Sequence, residues 1–264
     1  MECITSRNNQ MVTNAIKLRQ KKFRDENRMF IFEGRKLLID AASANIKLYR
    51  VFYTEKNRGF ITSLHLNCET YQVSDAVYDK LTEENSPSGI FCVALYLDNI
   101  RILRKINKDD KIDRPFAAVS VRDPGNLGTL IRTANAFSVG TLILSSDCAD
   151  VYNTKAVRAS MGALFRQSIV IFYADDISEL PVSLKNIGYS VYAAALHKEA
   201  VALNRLNVDM STCFIVGNEG HGLQDEFISK CSGCVYIPMN EDAESLNVAS
   251  ASSVLMWECF KSQI

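Results

Sequence analysis

An alternation running through the second half of the chain constrains the fold most. Short apolar, β-favouring runs at 116–121, 141–144, 168–172, 190–195, 213–216 and 235–237 take turns with helix-period segments at 129–137, 155–164, 177–187 and 246–260. Strands that alternate with helices bury both faces of a mostly parallel sheet, so the pattern predicts an α/β fold. A smaller α/β alternation precedes it, with strands at 30–33, 48–53 and 91–97 and helices at 35–43 and 74–81. Between them, residues 98–113 are charge-rich with scattered Ile and Leu, and Pro115 follows. That composition reads as a linker. The 264 residues therefore divide into a first domain at 1–97, a linker at 98–113 and a second domain at 114–264.

Three strands of the second domain end in segments suited to close backbone approach. Cys213 to Val216 runs into Gly217-Asn218-Glu219-Gly220-His221-Gly222, where absent side chains let main-chain groups reach a ligand. Val235-Tyr236-Ile237 is stopped by Pro238, which removes a backbone donor, and Met239 follows. Phe116 to Val121 leads into Arg122-Asp123-Pro124-Gly125-Asn126-Leu127-Gly128, a turn by composition. A helix from Thr129 then carries Arg132 in its first turns, where a helix N-terminus favours an anionic group. Ser245 opens the last, apolar helix from Leu246 onward. Glu219 and Asn247 lie in apolar-flanked loops, where a buried acid or amide needs a partner; Arg132 suits Glu219, with a plain structural ion pair as the alternative reading. The glycine spacing also invites comparison with a dinucleotide fingerprint, with Glu241 and Asp242 near the place of a ribose-binding acid. The order of the glycines is reversed and they come late in the domain, and both facts count against a Rossmann site.

Taken together, Asn126-x-Gly128-x-x-x-Arg132, Gly217-Asn218-Glu219-Gly220-x-Gly222, and Ile237-Pro238-Met239 with Ser245-Leu246-Asn247-Val248-Ala249 resemble the three motifs of the SpoU (TrmH-like) RNA 2′-O-ribose methyltransferases of the SPOUT superfamily. Asp147-Cys148-Ala149-Asp150 followed by Lys155, Arg158, Ala159, Ser160 and Gly162 is similar to that family's segment between the first two motifs, with Val151 and Thr154 where relatives often carry prolines. Ser6-x-x-Asn9, Lys17, Lys21 to Arg24 and Phe30-Ile31-Phe32-Glu33-Gly34 resemble the start of the family's L30e-like RNA-binding domain, and Val73-Ser74 with Pro87-Ser88-Gly89-Ile90 its end.

The resemblance implies an N-terminal L30e-like α/β domain and a C-terminal, mostly parallel α/β SPOUT domain with a trefoil knot. Periodicity alone points to an ordinary doubly wound sheet, since knots are almost absent from proteins. It further implies S-adenosylmethionine-dependent 2′-O-methylation of RNA, ribosomal RNA favoured over transfer RNA, by a homodimer. The catalytic residues it implies are Arg132, Asn126, Glu219, Ser245 and Asn247. Arg132 is expected to stabilise the developing alkoxide and grip a phosphate, because a guanidinium does not deprotonate readily. Leu196, Gly217, Asn218, Glu219, Gly220, Ile237, Met239, Leu246, Asn247 and Ala249 are expected at the cofactor. Arg7, Lys17, Lys21, Lys22, Arg24, Arg35 and Arg158 are expected at the RNA. The rival from another class is a non-catalytic RNA-binding protein with a decayed second domain, and the intact motif residues argue against it.

Thirty Lys and Arg against thirty Asp and Glu leave no net charge, so the whole molecule makes no electrostatic case for nucleic acid. The distribution does: residues 1–36 hold nine basic side chains against four acidic ones. Such a patch suits phosphates, with a solvated helix face as the plain alternative. No stretch reaches the roughly 18 apolar residues of a membrane span, and the first ten residues lack a signal-peptide core, so the expected location is cytoplasmic. The eight cysteines then read as reduced thiols. Cys231-x-x-Cys234 has no second pair beside it and no His stands at a ligand interval, so no metal is expected.

Overall fold

The computed structural model describes residues 3–218, 222–240, 242, 243 and 245–262. The chain forms two compact units, Met1–Asp98 with Tyr152–Phe165, and Asn99–Val151 with Arg166–Ile264. The first contains α1 (Gln10–Lys17), α2 (Lys21–Asn27), β1 (Met29–Glu33), α3 (Arg35–Ser43), β2 (Leu48–Tyr53), α4 (Arg58–Ser63), β3 (Glu69–Gln72), α5 (Asp75–Leu81) and β4 (Ile90–Leu95). Its sheet runs β1-β4-β2-β3, with β4 antiparallel to both neighbours and β3 parallel to β2. Side chains alternate across a strand, so β1 feeds two faces. Ile31 joins Phe52, Phe91 and Val93 in a core closed by Val12, Ala15 and Leu18 from the first helical segment and Val77, Tyr78 and Leu81 of α5.

The second unit holds β5 (Ile100–Leu103), β6 (Pro115–Ala118), α6 (Pro124–Ala136) and β7 (Thr141–Ser145). After α7 (Thr154–Ala159), which belongs to the first unit, come β8 (Ile169–Phe172), α8 (Glu179–Asn186), β9 (Ser190–Ala194), β10 (Val201–Ala202), β11 (Thr212–Val216), α9 (Asp225–Ser229), β12 (Gly233–Tyr236) and α10 (Val248–Lys261). The eight strands run β10-β12-β9-β11-β6-β7-β8-β5, every neighbouring pair parallel. Because parallel strands are buried on both faces, Ala117, Ile143, Val170, Val191, Ala193, Cys213 and Ile215 share one core with Leu180 and Leu184 of α8. On α10, Trp257 and Phe260 meet Phe137 at ring distances of 5.7 and 5.9 Å. The chain lays β6, β7 and β8 outward in order, then places β9 on the other side with β11 between β9 and β6. The direction of winding reverses at β6 and β11, and such a reversal opens a crevice at the strands' carboxyl ends.

Four readings of the sequence are revised. The Asp123-Pro124-Gly125-Asn126 segment after β6 starts α6 and is not a separate turn, because Asp123 caps the helix and Pro124 is preset for the first helical position. Residues 98–113 carry β5, a short edge strand with Ile102 exposed, paired with β8. The helix expected over 155–164 stops at Ala159, where Met161 and Gly162 take positive φ of 50° and 84°. The segment around it packs on the first unit, Phe30 meeting Tyr152 at 4.9 Å, Phe32 meeting Phe165 at 5.4 Å and Tyr96 stacking on Tyr152 at 4.0 Å. The last helix begins at Val248, leaving Leu246 outside it.

Candidate active site

The register of the large sheet sets the site. Ala118 pairs with Val216, Val216 with Ala194, and Ala194 with Val235, so four parallel strands end level. Just past that row stand Leu196 after β9, Gly217 and Asn218 after β11, Ile237 and Met239 after β12, and the segment from Ser120 to Asn126 after β6. Leu196 is 67% exposed and Leu246 40%, both large apolar side chains left open at this rim. Ile237 and Met239 are half-buried, and Ser245 is exposed.

Two helix caps join the first and third motifs. Asp123 Oδ1 accepts from the Asn126 backbone N–H at 2.8 Å and starts α6. Asn247 starts α10, its Oδ1 accepting from the N–H groups of Ala249 at 2.9 Å and Ser250 at 3.4 Å. The same Asn247 donates through Nδ2 to Asn126 Oδ1 at 3.1 Å. Ala249 is buried and its N–H belongs to the cap, so it supports the site from beneath. Arg132 falls in the third turn of α6 and not in the first, since the helix starts earlier than expected. It is exposed, with no hydrogen bond or ion pair among the described residues.

The glycine loop is held from both sides. A Cβ on Gly217 would lie 2.8 Å from the Gly222 carbonyl and from Leu223, so only glycine lets the loop fold back on itself. Asn218 and Gly222 form a bridge, with the Gly222 N–H bonded to the Asn218 carbonyl at 2.9 Å. Asn218 Nδ2 donates to the Ser120 carbonyl at 2.9 Å. Ser120 has φ of +58°, and its N–H donates to Ser145 Oγ at 2.8 Å. Both hydroxyls end on one carboxylate: Ser145 Oγ donates to Asp147 Oδ1 at 2.5 Å, and Ser120 Oγ donates to Asp147 Oδ2. Burial alone would raise the Asp147 pKa, but these bonds and the Arg122 charge outweigh it and hold it below the usual carboxylate range. Beside this network a cavity of about 540 Å³ opens between Ser120, Arg122, Asn218, Leu223 and Phe227. The sequence did not single out Ser120 or Ser145, because only the pairing of β6 with β7 brings them together. Glu219 and Gly220, expected at both catalytic and cofactor positions, lie outside the described residues, as do His221 and Glu241.

Residues 115–257 match the SpoU rRNA Methylase family, and residues 9–92 match the MRM3-like substrate binding domain. Over 258 residues the chain is 30% identical to the 23S rRNA (guanosine(2553)-2′-O)-methyltransferase RlmP of Bacillus subtilis (strain 168), covering 97% of this chain and 98% of that one. The chain belongs to the SpoU rRNA methylase family. The structure of an AdoMet-bound rRNA methyltransferase from Sinorhizobium meliloti superposes with a TM-score of 0.84 at 27% identity, over 100% of this SpoU methylase and 98% of that chain. AviRb of Streptomyces viridochromogenes, at 20% identity and a TM-score of 0.79 over 97% of this chain and 98% of its own, shares the fold.

The first unit of this SpoU methylase sorts its cations into two kinds. Arg7, Lys17, Lys21, Lys22, Arg35 and Arg158 are exposed. Lys21 and Lys22 pair with Asp25 at 3.0 Å and Glu26 at 3.9 Å, Arg158 with Glu84 at 3.3 Å, and Arg35 donates to Asn57 at 2.8 Å. Arg24 corrects the expectation of an RNA contact: it is 2% exposed, and Nη1 donates to the carbonyls of Leu18 at 2.9 Å and Arg19 at 2.6 Å. Leu18 is the C-cap of α1 and Arg19 follows it, so Arg24 fixes the corner just past the helix end. All eight cysteines are free, and burial pushes the Cys231 thiol up to about 11, which keeps it protonated. Among the described residues no cluster of His, Cys, Asp or Glu has the form of a metal site, and no helix is long and apolar enough to cross a membrane.

Proposed function

We propose that this SpoU methylase transfers the methyl group of S-adenosylmethionine to the 2′-hydroxyl of a ribose in ribosomal RNA. The observation that carries the reading is the level row of strand ends, which brings the three motifs to one rim. The family, and a relative named for 23S rRNA, support ribosomal over transfer RNA as substrate. The rim suits the donor: a backbone loop that tolerates no Cβ at Gly217, flanked by the open apolar side chains of Leu196 and Leu246. Leu196, Gly217, Asn218, Ile237, Met239 and Leu246, with Glu219 and Gly220, would hold it. When bound, it supplies an electrophilic methyl on a sulfonium, so the chain itself has to supply position and charge.

A ribose hydroxyl is a poor nucleophile and must lose its proton as it attacks. Arg132 presents an exposed planar fork, fit to lie against both the developing alkoxide and the neighbouring phosphate, which takes the proton. The Asn126–Asn247 pair orients the ribose, Glu219 holds Arg132, and Ser245 shapes the substrate side. The exposed cations of the first unit, Arg7, Lys17, Lys21, Lys22, Arg35 and Arg158, dock the RNA. Residues 1–97 thus serve binding and 114–264 transfer, with the trefoil knot and a cytoplasmic site of action as part of the same proposal. Val254 and Trp257, 36% and 41% exposed at (i, i+3) on α10, support a homodimer through that face.

Mapping 2′-O-methyl groups in total RNA with and without the gene tests the reading. One ribosomal ribose losing its methyl is the expected result. Loss confined to transfer RNA overturns the substrate, and no change in any RNA, together with intact S-adenosylmethionine binding, returns the protein to the non-catalytic class.

A further inference from the structure

Ser120 occupies a backbone conformation that L-residues other than Asn and Asp rarely take, with φ of +58°. It does so at the place where β6 hands over to the first motif, and a surrounding set of bonds over-determines it. Its N–H goes to Ser145 Oγ at 2.8 Å, its carbonyl receives Asn218 Nδ2 at 2.9 Å, and its hydroxyl goes to Asp147. Ser145, itself 3% exposed, binds the other Asp147 oxygen at 2.5 Å. Ala149 N–H closes the frame on the Val121 carbonyl at 2.8 Å. Backbone strain maintained in this way is found where geometry matters to function.

We propose that Asp147 is a positioning residue: its carboxylate clamps Ser120 in the left-handed conformation and so fixes the carbonyl that anchors Asn218 of the glycine loop. The proposal rests on the methyl-transfer reading above. Asn218 follows Gly217 in the loop assigned to the donor, and Ser120 precedes the helix that carries Asn126 and Arg132. One carboxylate therefore sets the donor loop against the acceptor helix. The Arg122 guanidinium, 3.8 Å from Asp147 and 73% exposed, is the other charge facing it and is screened by solvent. Without the clamp Ser120 relaxes toward negative φ, its carbonyl swings, and the two motifs lose alignment with their own residues intact. Misplacement of about 1 Å in such an arrangement slows a reaction by as much as about 10²-fold.

The test uses the full chain as Asp147→Ala, Ser120→Gly and the double variant. Single-turnover methyl transfer at saturating RNA and S-adenosylmethionine is expected to fall about 10-fold or more in Asp147→Ala, with donor affinity by calorimetry nearly unchanged. Ser120→Gly in the same chain is expected to restore most of the rate, because glycine takes this φ without a clamp and keeps the backbone bonds. A double variant as slow as Asp147→Ala overturns the proposal, as does an unchanged rate with a raised KM for RNA. Thermal unfolding reads the clamp without activity: Ser120→Gly should raise Tm more in the Asp147→Ala background than in the parent, and equal shifts overturn it. A parent chain that transfers no methyl refutes the function while this cycle still decides the clamp. If Asp147→Ala does not fold, Asp147→Asn, which retains one acceptor oxygen, takes its place in every arm.

Discussion

Arg24 and Arg132 are both helical arginines in segments that resemble functional motifs, yet the two regions use them in opposite ways. At the α1–α2 corner the guanidinium is buried and bonded to the two carbonyls that follow the end of a helix. On α6 the same group is exposed, with no partner among the described residues, on the helix whose Asn126 is bonded to Asn247 of the third motif. A buried cation bonded to backbone carbonyls is architecture. An exposed one with no partner among the described residues is available to a ligand. The first is bonded into the folded chain and the second makes no hydrogen bond or ion pair among the described residues, so substitutions at the two sites should separate stability from chemistry.

The largest effect is expected at Arg132. Arg132→Ala should abolish measurable transfer in single turnover while leaving the melting temperature and S-adenosylmethionine affinity unchanged. Arg132→Lys keeps the charge and loses the fork, and a loss on the order of 10²-fold is expected, the scale of one preorganised donor. Near-normal turnover in the alanine variant would break the comparison at its functional end. Next comes Gly217→Val. The new side chain collides with the loop's own return at Gly222 and Leu223, so the loop must open even before a donor arrives. Calorimetry should detect no donor binding, and unchanged affinity would remove this loop from the site.

How much of this was legible beforehand differs between the regions for a physical reason. Strand and helix alternation places the level strand ends of the second unit, because apolar runs and glycine or proline stops are local signals. Asp123 and Pro124 were legible as punctuation, but the same residues suit a turn and a helix start, and only the bond from Asn126 decides for the helix. The packing of Tyr152–Phe165 on the first unit was not legible, since Phe30, Phe32 and Tyr96 meet it across more than fifty residues of intervening chain. Arg24 failed for a similar reason. It stands in a basic cluster, and charge counting registers sign without registering which way a side chain turns.

At the structural end of the comparison, Arg24→Ala should leave turnover per folded molecule unaltered and lower stability by about 2 kcal/mol, the scale of buried carbonyls left without donors. Urea unfolding gives the stability, and a neutral result would return Arg24 to the surface-exposed set. A smaller effect separates the two tasks of Asn247. Asn247→Ala removes the cap and should cost about 1 kcal/mol. Asn247→Asp keeps an equally good cap but has no amide to donate to Asn126, so it should hold stability and lose turnover. If Asn247→Asp turns over normally, the link between the first and third motifs carries no chemistry.

The smallest effect belongs to the exposed cations, and it asks whether the first region does more than fold. Replacing Lys21 and Lys22 with Ala should weaken RNA binding and flatten its dependence on salt, since each phosphate contact on single-stranded RNA contributes about 0.7 to the log–log slope. Two full contacts would remove about 1.4 from that slope. Less is expected here, because Asp25 and Glu26 already sit 3.0 and 3.9 Å from the two ammonium groups and compete with phosphate for them. Asp25→Asn with Glu26→Gln supplies the opposing arm: freeing both lysines should steepen the slope and tighten binding at low salt. Arg24 must be left in place in every such variant, since its loss would lower the folded fraction and pass for weaker binding. A slope unmoved in both arms would show that this helix face meets only solvent, and RNA docking would then rest on Arg7, Lys17, Arg35 and Arg158.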